Sequence, residues 1–345
     1  MSTTPGTALR LSPETLHHLV TRVFARLGSR GEDAARIADM LVWSDLTGRT
    51  GHGVARVPDY VRMAQAGTMD VAAVPVLERA LPATLLMDAR RAPGPVAMTL
   101  ATQWAMERAR AAGGCFALVK RTTHTGAIGF YARMAADAGF AALIFGSGKP
   151  LMACHGARVA SLSTSPLALA VPGGAGGPLL LDMATSVTSL GRLRQLAAQD
   201  ADIPEGWALT AEGGPARRAR EAAIPLPLGG PKGSGLAVLF EAMTGVLAGA
   251  PVVVPALLGG AAAGRGASAM VMVMDIAAFS PPESFAAEVE ALRATLKGLP
   301  RLDGVEEIFL PGERSRAGAA RRAKEGIAVP AALLAELEAL AGDDR

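Results

Sequence analysis

The chain has 345 residues, half of them hydrophobic, only 4% aromatic, and a formal charge of +3. Such a chain can bury a large core, and its length suits two or three subdomains. The small charge excess excludes an electrostatic footprint for nucleic acid, and the scarcity of aromatic side chains excludes a stacking platform for single strands. The basic clusters at 217–220 and 314–324 read as solvated faces. The opening MSTTPGTALR lacks the apolar core of a secretory signal. The long uncharged stretch 242–264 carries Pro251 and Pro255, which break a membrane helix, so it reads as buried helix, loop and strand. Cys115 and Cys154 are the only cysteines, with no C-x-x-C, no H-E-x-x-H and no ligand cluster. The expectation is a cytoplasmic, reduced protein with no metal, no membrane and no nucleic acid.

In chain order, Ser12 caps a first helix and Pro13 suits its first position. Leu16, Leu19, Val20, Val23, Phe24 and Leu27 fall on one face before Gly28 ends it. A second helix follows near 32–43. Next comes SDLTGRTGHGVARVPDYVRMAQA (44–66), which sets His52 between two glycines with Arg56 four positions on. An imidazole moves a proton and a guanidinium grips a carboxylate, so this pair suits a 2-oxo-acid or 2-hydroxy-acid site. The segment occupies a turn and the start of a helix around 58–66.

From Cys115 the pattern changes to apolar runs of strand length at 116–119, 141–145, 167–171, 179–181 and 269–274. Helical stretches at 99–112, 126–138, 234–248 and 282–297 separate some of them. Such mixing predicts an α/β or α+β sheet domain. The stretch 173–178 reads as a strand-to-strand loop, and 199–227, rich in charge, Pro and Gly, as a surface excursion. Neither G-x-G-x-x-G nor a P-loop is present. Gly146-Ser147-Gly148-Lys149-Pro150 has the wrong spacing, and Pro150 removes an amide donor.

Five ordered segments resemble the type 2 malate/L-lactate dehydrogenase family. The first is 44–66, where Asp45, Gly48, His52, Gly53, Arg56, Pro58 and Tyr60 match and Gly51 replaces the usual serine. The second is VKRTTHTGAIGFYAR (119–133), with His124, Gly126, Tyr131 and Ala132 in register. The third is SLSTSPLALAVPGGAGGPLLLDMATS (161–186), with Thr164, Pro166, Pro172 and Asp182 through Ser186 matching while Ser163 and Ser165 depart. The fourth is LGGPKGSGLA (228–237) with Lys232, and the fifth is LPGER (310–314) ahead of a basic helix and Gly326-Ile327.

The resemblance implies a non-Rossmann NAD(P)-binding domain on a largely antiparallel sheet with a helical N- and C-terminal subdomain. It divides the chain into a helical part at 1–75, a sheet domain at 76–310 and C-terminal helices at 311–345 that pack back on the first. It implies hydride transfer between NAD or NADP and a small malate- or lactate-like carboxylic acid, in a homodimer. A cyclic ketimine acid is the alternative substrate, and a dinucleotide or metabolite binder without turnover a further one.

The site carried over has His52 and His124 as rivals for the acid–base role, His52 ahead because Arg56 is tied to it by spacing. Asp182 is placed with them as a group that orients a histidine or caps a strand beside the cofactor. Arg56 holds the substrate carboxylate and Thr164 adds a hydrogen-bond donor. His124, Asp182, Met183, Ala184, Lys232, Gly233, Gly312, Glu313 and Arg314 face the cofactor, since pyrophosphate needs cations and close backbone amides. His155, in CHGAR, is a candidate specificity residue.

Overall fold

A computed structural model describes residues 8–259 and 266–342. The first residues of the opening segment and the end of the uncharged 242–264 stretch lie outside the described residues.

The N-terminal part runs β1 (Ala8–Leu11), α1 (Pro13–Arg26) and α2 (Gly31–Leu46), then two single 3-10 turns, Thr50–His52 and Val54–Arg56, and α3 (Val57–Gln65). Ser12 Oγ accepts the Thr15 amide at 3.1 Å, a cap whose loss costs about 1 kcal/mol. The α1 face foreseen from periodicity is buried at Leu16, Val20, Val23 and Phe24.

The middle part runs β2 (Val76–Leu81), β3 (Thr84–Asp88), α4 (Gly94–Ala112), β4 (Gly114–Thr122), α5 (Gly129–Asp137), β5 (Phe140–Ser147), β6 (Met152–Ala153), β7 (Ala160–Leu162), β8 (Leu167–Val171) and β9 (Leu179–Met183). It continues with α6 (Leu190–Ala197), β10 (Ala208–Leu209), β11 (Ile224–Pro225), α7 (Pro231–Glu241), α8 (Val253–Leu258), β12 (Ala267–Asp275) and α9 (Pro282–Lys297). The chain closes with α10 (Glu313–Glu325), β13 (Ile327–Pro330) and α11 (Ala331–Ala341).

Among the described residues seven strands form the main sheet in the order β2-β3-β4-β12-β5-β8-β9, with β3–β4 parallel. The remaining neighbours are antiparallel. This is the largely antiparallel, non-Rossmann sheet that the family resemblance implies. Helices α4 and α5 cover one face, joining the main core with the N-terminal helices, while Phe240 of α7 stacks on Phe145 of the other face at 4.4 Å. Strand β1 pairs with β13, Leu11 opposite Ile327, so the two ends of the chain share a ribbon.

Three elements differ from expectation. Strands β2 and β3 precede the first strand run read from the apolar pattern, at 116–119, although they fall inside the expected 76–310 sheet domain; β2 is an edge strand whose residues are nearly all exposed and so carries no alternating signal. The 199–227 excursion has a small core of its own, with Ile203, Ala208, Ala216 and Ala219 buried against Leu193 of α6. The single helix expected over 234–248 is α7 continued by a π turn, Ala242–Val246. Glu241 there accepts the amides of Val252 and Val253 at 2.9 and 3.1 Å, which sets the start of α8.

Strand direction gathers the site. Strands β4 and β5 both run antiparallel to β12, and β9 is two antiparallel steps from β5. The C-terminal ends of β4, β5 and β9 therefore share one edge. There the chain delivers His124, Lys149 and the 182–184 segment, and the turns after α2 meet them.

Candidate active site

The His52 turn is built by residues of its own motif. Gly48, at φ +82°, breaks the chain away from α2. Asp45 Oδ2 then accepts the Val54 amide at 2.8 Å. A Cβ on Gly53 would sit 2.1 Å from Asp45 Oδ1, so the carboxylate and the glycine require one another. Burial pushes the Asp45 carboxyl up to about 7, against the pull of the Val54 amide and the Arg322 charge. Arg56 folds back over the turn, its Nε donating to Gly51 O at 2.7 Å and its Nη1 to Asp59 at 3.0 Å.

His124 follows β4 at a corner closed by Gly126, φ +70°. Gly94, at the start of α4, lies against it, since a Cβ there would come within 2.1 Å of the His124 carbonyl oxygen. The His52 and His124 rings stack at 5.3 Å between centroids with 13° between planes. The structure thus brings together the two histidines that sequence treats as rivals. Their ring environments differ. The Tyr60 hydroxyl lies 2.8 Å from His124 Nδ1, whereas His52 Nδ1 is buried with no hydrogen-bond partner among the described residues. At Gly51, where the family serine would stand, an added Cβ meets nothing within 4 Å.

Burial and neighbouring cations keep both rings neutral at pH 7. His52 is pushed down to about 4, by burial first and then by the charges of Arg56 and Arg49. His124 is pushed down to about 3, by burial first, then by His52, Arg56 and Lys149. An anion bound among these cations would relieve part of that repulsion.

Asp182, at the end of β9, makes no hydrogen bond to either histidine. Arg49 Nε lies 3.0 Å from its Oδ2 in an ion pair, without hydrogen-bond alignment, so that oxygen is buried unsatisfied. Burial raises the Asp182 carboxyl, opposed by Arg49 and the Gly129 backbone. Arg49 also lies over Trp43 at 5.4 Å and reaches Ser315 Oγ at 3.4 Å, tying the His52 turn to α10. Thr164 accepts both the amide and the hydroxyl of Thr185 at its carbonyl, and its own hydroxyl has no protein partner among the described residues.

The residues expected to face a cofactor divide into two groups. Met183 pairs with Leu167 and packs into the second core cluster, and Ala184 is half-buried beyond it. The Gly233 amide donates to Leu228 O, and a Cβ there would be 2.4 Å from Thr185 O, so Gly233 packs α7 against the β9 exit and its N–H is already used. Lys232 beside it is exposed and has no ion pair among the described residues. Gly312, at φ +90°, packs on Leu180, and the Leu180 amide donates to Pro311 O.

An open depression of about 360 Å³ lies here, lined by Phe309, Leu310, Pro311, Gly312, Arg314 and Ser315. Arg314 rests over Phe309 at 4.3 Å. Glu313 faces the protein instead. Its carboxyl is held down near about 2, burial being outweighed by the Leu310 amide, Lys297 and Arg293. Arg314 beside Gly312 and Lys232 beside Gly233 are exposed cations next to close-packed glycines, the chemistry that a dinucleotide phosphate needs. His155, exposed next to Gly230, stands at the α7 end of this edge.

Sequence reasoning missed Arg49, Lys149 and any role for Tyr60. Lys149 was set aside with a glycine-rich run of the wrong spacing, and nothing local marks Arg49. Among the described residues no group of three histidine, cysteine or carboxylate side chains is placed to hold a metal, and no helix is long and apolar enough to cross a membrane.

The comparisons with known proteins agree with this fold. The family model for malate/L-lactate dehydrogenase matches residues 11–338. A malate dehydrogenase from Pyrococcus horikoshii is 32% identical over 343 residues, 96% of this chain and 95% of that one. A Delta(1)-pyrroline-2-carboxylate reductase from Ancylobacter novellus is 31% identical over 338 residues, 96% of this chain and 97% of that one. The solved sulfolactate dehydrogenase of Methanocaldococcus jannaschii superposes with a TM-score of 0.87 at 28% identity, covering 96% of each chain. The chain is accordingly an NAD(P)-dependent oxidoreductase of small carboxylic acids, and it belongs to the malate/L-lactate dehydrogenase family.

Proposed function

We propose that the chain interconverts a small, malate- or lactate-like 2-oxo acid and its 2-hydroxy acid, with His124 as the acid–base group. The observation that carries this reading is the stacked histidine pair flanked by Arg56 and Lys149, in which His124 has one ring nitrogen engaged by Tyr60. A general base needs a third group that orients it, and His124 has one where His52 does not. His52, ahead on sequence spacing, becomes the wall against which His124 stacks.

When bound, the nicotinamide supplies or accepts the hydride. Arg56 and Lys149 hold the substrate carboxylate, and Thr164 offers a free hydroxyl to the substrate oxygen. Lys232 and Arg314 hold the phosphates. Asp182, held by Arg49, lines the floor between substrate and cofactor. In the oxidative direction neutral His124 takes the hydroxyl proton, and in the reductive direction the imidazolium returns it.

A full-length relative, the pyrroline-2-carboxylate reductase, favours a second reading, a cyclic ketimine acid. Oxidation of NADH and NADPH against a panel of 2-oxo acids and cyclic ketimine acids tests both. Turnover of a 2-oxo acid is expected, and turnover of ketimines alone would replace the first reading by the second.

We further infer a cytoplasmic homodimer with the three-part division at 75 and 310. The β1–β13 ribbon supports the packing of the last part on the first. Exposed Leu239, Leu247 and Leu258, on and between α7 and α8, support a covered apolar face.

A further inference from the structure

Tyr60, on α3, is almost wholly buried, and its hydroxyl meets two atoms of one residue: His124 Nδ1 at 2.8 Å and the His124 carbonyl oxygen at 3.2 Å. A phenol has one proton to donate. If it goes to Nδ1, the carbonyl oxygen is left without a donor and the ring proton sits on Nε2. If it goes to the carbonyl, Nδ1–H donates to the phenol oxygen, both contacts become hydrogen bonds, and Nε2 keeps its lone pair. No other described group donates to the His124 carbonyl. Gly94 packs over this part-buried oxygen, and backbone oxygens covered by protein are paired in folded chains, so the second arrangement satisfies one more group than the first.

We propose that Tyr60 is a positioning residue that fixes His124 as the Nδ1–H tautomer and so presents the Nε2 lone pair to the substrate hydroxyl. This rests on the acid–base reading of His124. The same contact serves both protonation states. When Nε2 takes the hydroxyl proton, the imidazolium still donates from Nδ1 to the phenol oxygen, so the ring does not turn over. The reverse reaction returns the same proton from Nε2. A carboxylate in this place would also orient the ring, but it would hold the proton on it. The neutral phenol orients without adding charge, which leaves the ring free to give the proton back. Burial raises the Tyr60 hydroxyl well above the usual tyrosine value, so it remains a phenol throughout.

Ring-15N-labelled histidine in the full chain reads the tautomer directly, without cofactor or turnover. The chain has five histidines, assignable by single His→Gln variants. Near neutral pH, His124 is expected to show a protonated Nδ1 and a bare Nε2. In Tyr60→Phe that pattern should give way to the Nε2–H form or a mixture. Oxidative kcat should fall tenfold to a hundredfold, roughly what is lost with a partner that orients a functional histidine, while KM moves less than about threefold.

A wild-type His124 with its proton on Nε2, or an unchanged tautomer in Tyr60→Phe, would overturn the proposal. If Tyr60→Phe fails to fold, fluorotyrosine in place of both tyrosines makes the O–H a stronger donor, and an unmoved His124 Nδ1 resonance would be equally fatal. A changed tautomer with an unchanged kcat would instead remove His124 from the chemistry while leaving its tautomer assigned to Tyr60.

Discussion

The turns at 49–56 and the corner at 122–129 present the same side chain to the same place. Each holds an imidazole behind a glycine-rich bend, the rings stack, and burial suppresses the charge of both. The difference lies one residue deeper. His124 has a phenol on its inner nitrogen, while His52 has a buried nitrogen with no partner among the described residues and an exposed glycine where a serine would stand. An imidazole becomes a usable base when its other nitrogen is occupied, because the partner fixes both tautomer and direction. Proximity to an arginine in sequence does not provide that, and Arg56 in fact spends two donors on Gly51 and Asp59.

The largest effect expected from this contrast comes from removing each ring in turn. His124→Asn should lower kcat by about a hundredfold or more, within the range for loss of a general acid–base. His52→Asn should cost about tenfold or less, chiefly through the packing of its neighbour. Steady-state rates of both variants on one substrate decide the matter. The reverse order of losses would return the role to His52.

Much of this was legible in the chain, for reasons that differ from residue to residue. The first helix declares itself through its cap and its apolar stripe, and the absence of a nucleotide fingerprint correctly points away from a Rossmann domain. Strand β2 does not declare itself, since an exposed edge strand buries too little to impose alternation. Within the site, His52 and His124 were visible because glycines bracket or follow them, and Arg56 through its spacing from His52. Tyr60 was visible as a matched position, but its partner lies 64 residues away in sequence, and no spacing rule joins them. Lys149 and Arg49 act through strand order and helix packing, which only the folded chain reveals. Glu313 and Gly233 stand in matched segments yet bind their own protein, a distinction that depends on which way a side chain or amide faces.

The same two regions differ in how their charges couple to stability. Asp45, which builds the His52 turn, titrates near about 7 when folded, far above an exposed aspartate, so its contribution is full below about pH 4 and is lost as pH rises to about 7. A shift of that size corresponds to roughly 4 kcal/mol at most. The histidines act in the opposite sense. Their folded values near about 4 and about 3 lie below that of a free imidazole, so their contribution is full above about pH 6.5 and is lost as pH falls. Between about pH 4 and 6.5 the two slopes oppose one another. Asp45→Asn keeps an oxygen for the Val54 amide but removes the titration, so its melting temperature should fall more steeply on acidification than that of the wild type. Parallel melting curves from pH 7 to pH 4 would contradict the coupling.

The smallest effect expected is the most direct attempt to make the two histidines alike. Gly51 has φ outside the left-handed region and space for a Cβ, so Gly51→Ser should fold without strain. The variant tests whether a hydroxyl one residue before His52 reaches the imidazole that lacks a partner, where a net hydrogen bond is worth about 1 kcal/mol. Pairing His52 Nδ1 should narrow the ring to one tautomer, visible in its 15N resonances, and raise the melting temperature by a few degrees at most. Turnover should change by less than about threefold, because the orienting contact at His124 is untouched. A large gain in kcat would mean that His52 had lacked only its partner, and the contrast between the two regions would then be one of a missing hydroxyl rather than of assigned roles.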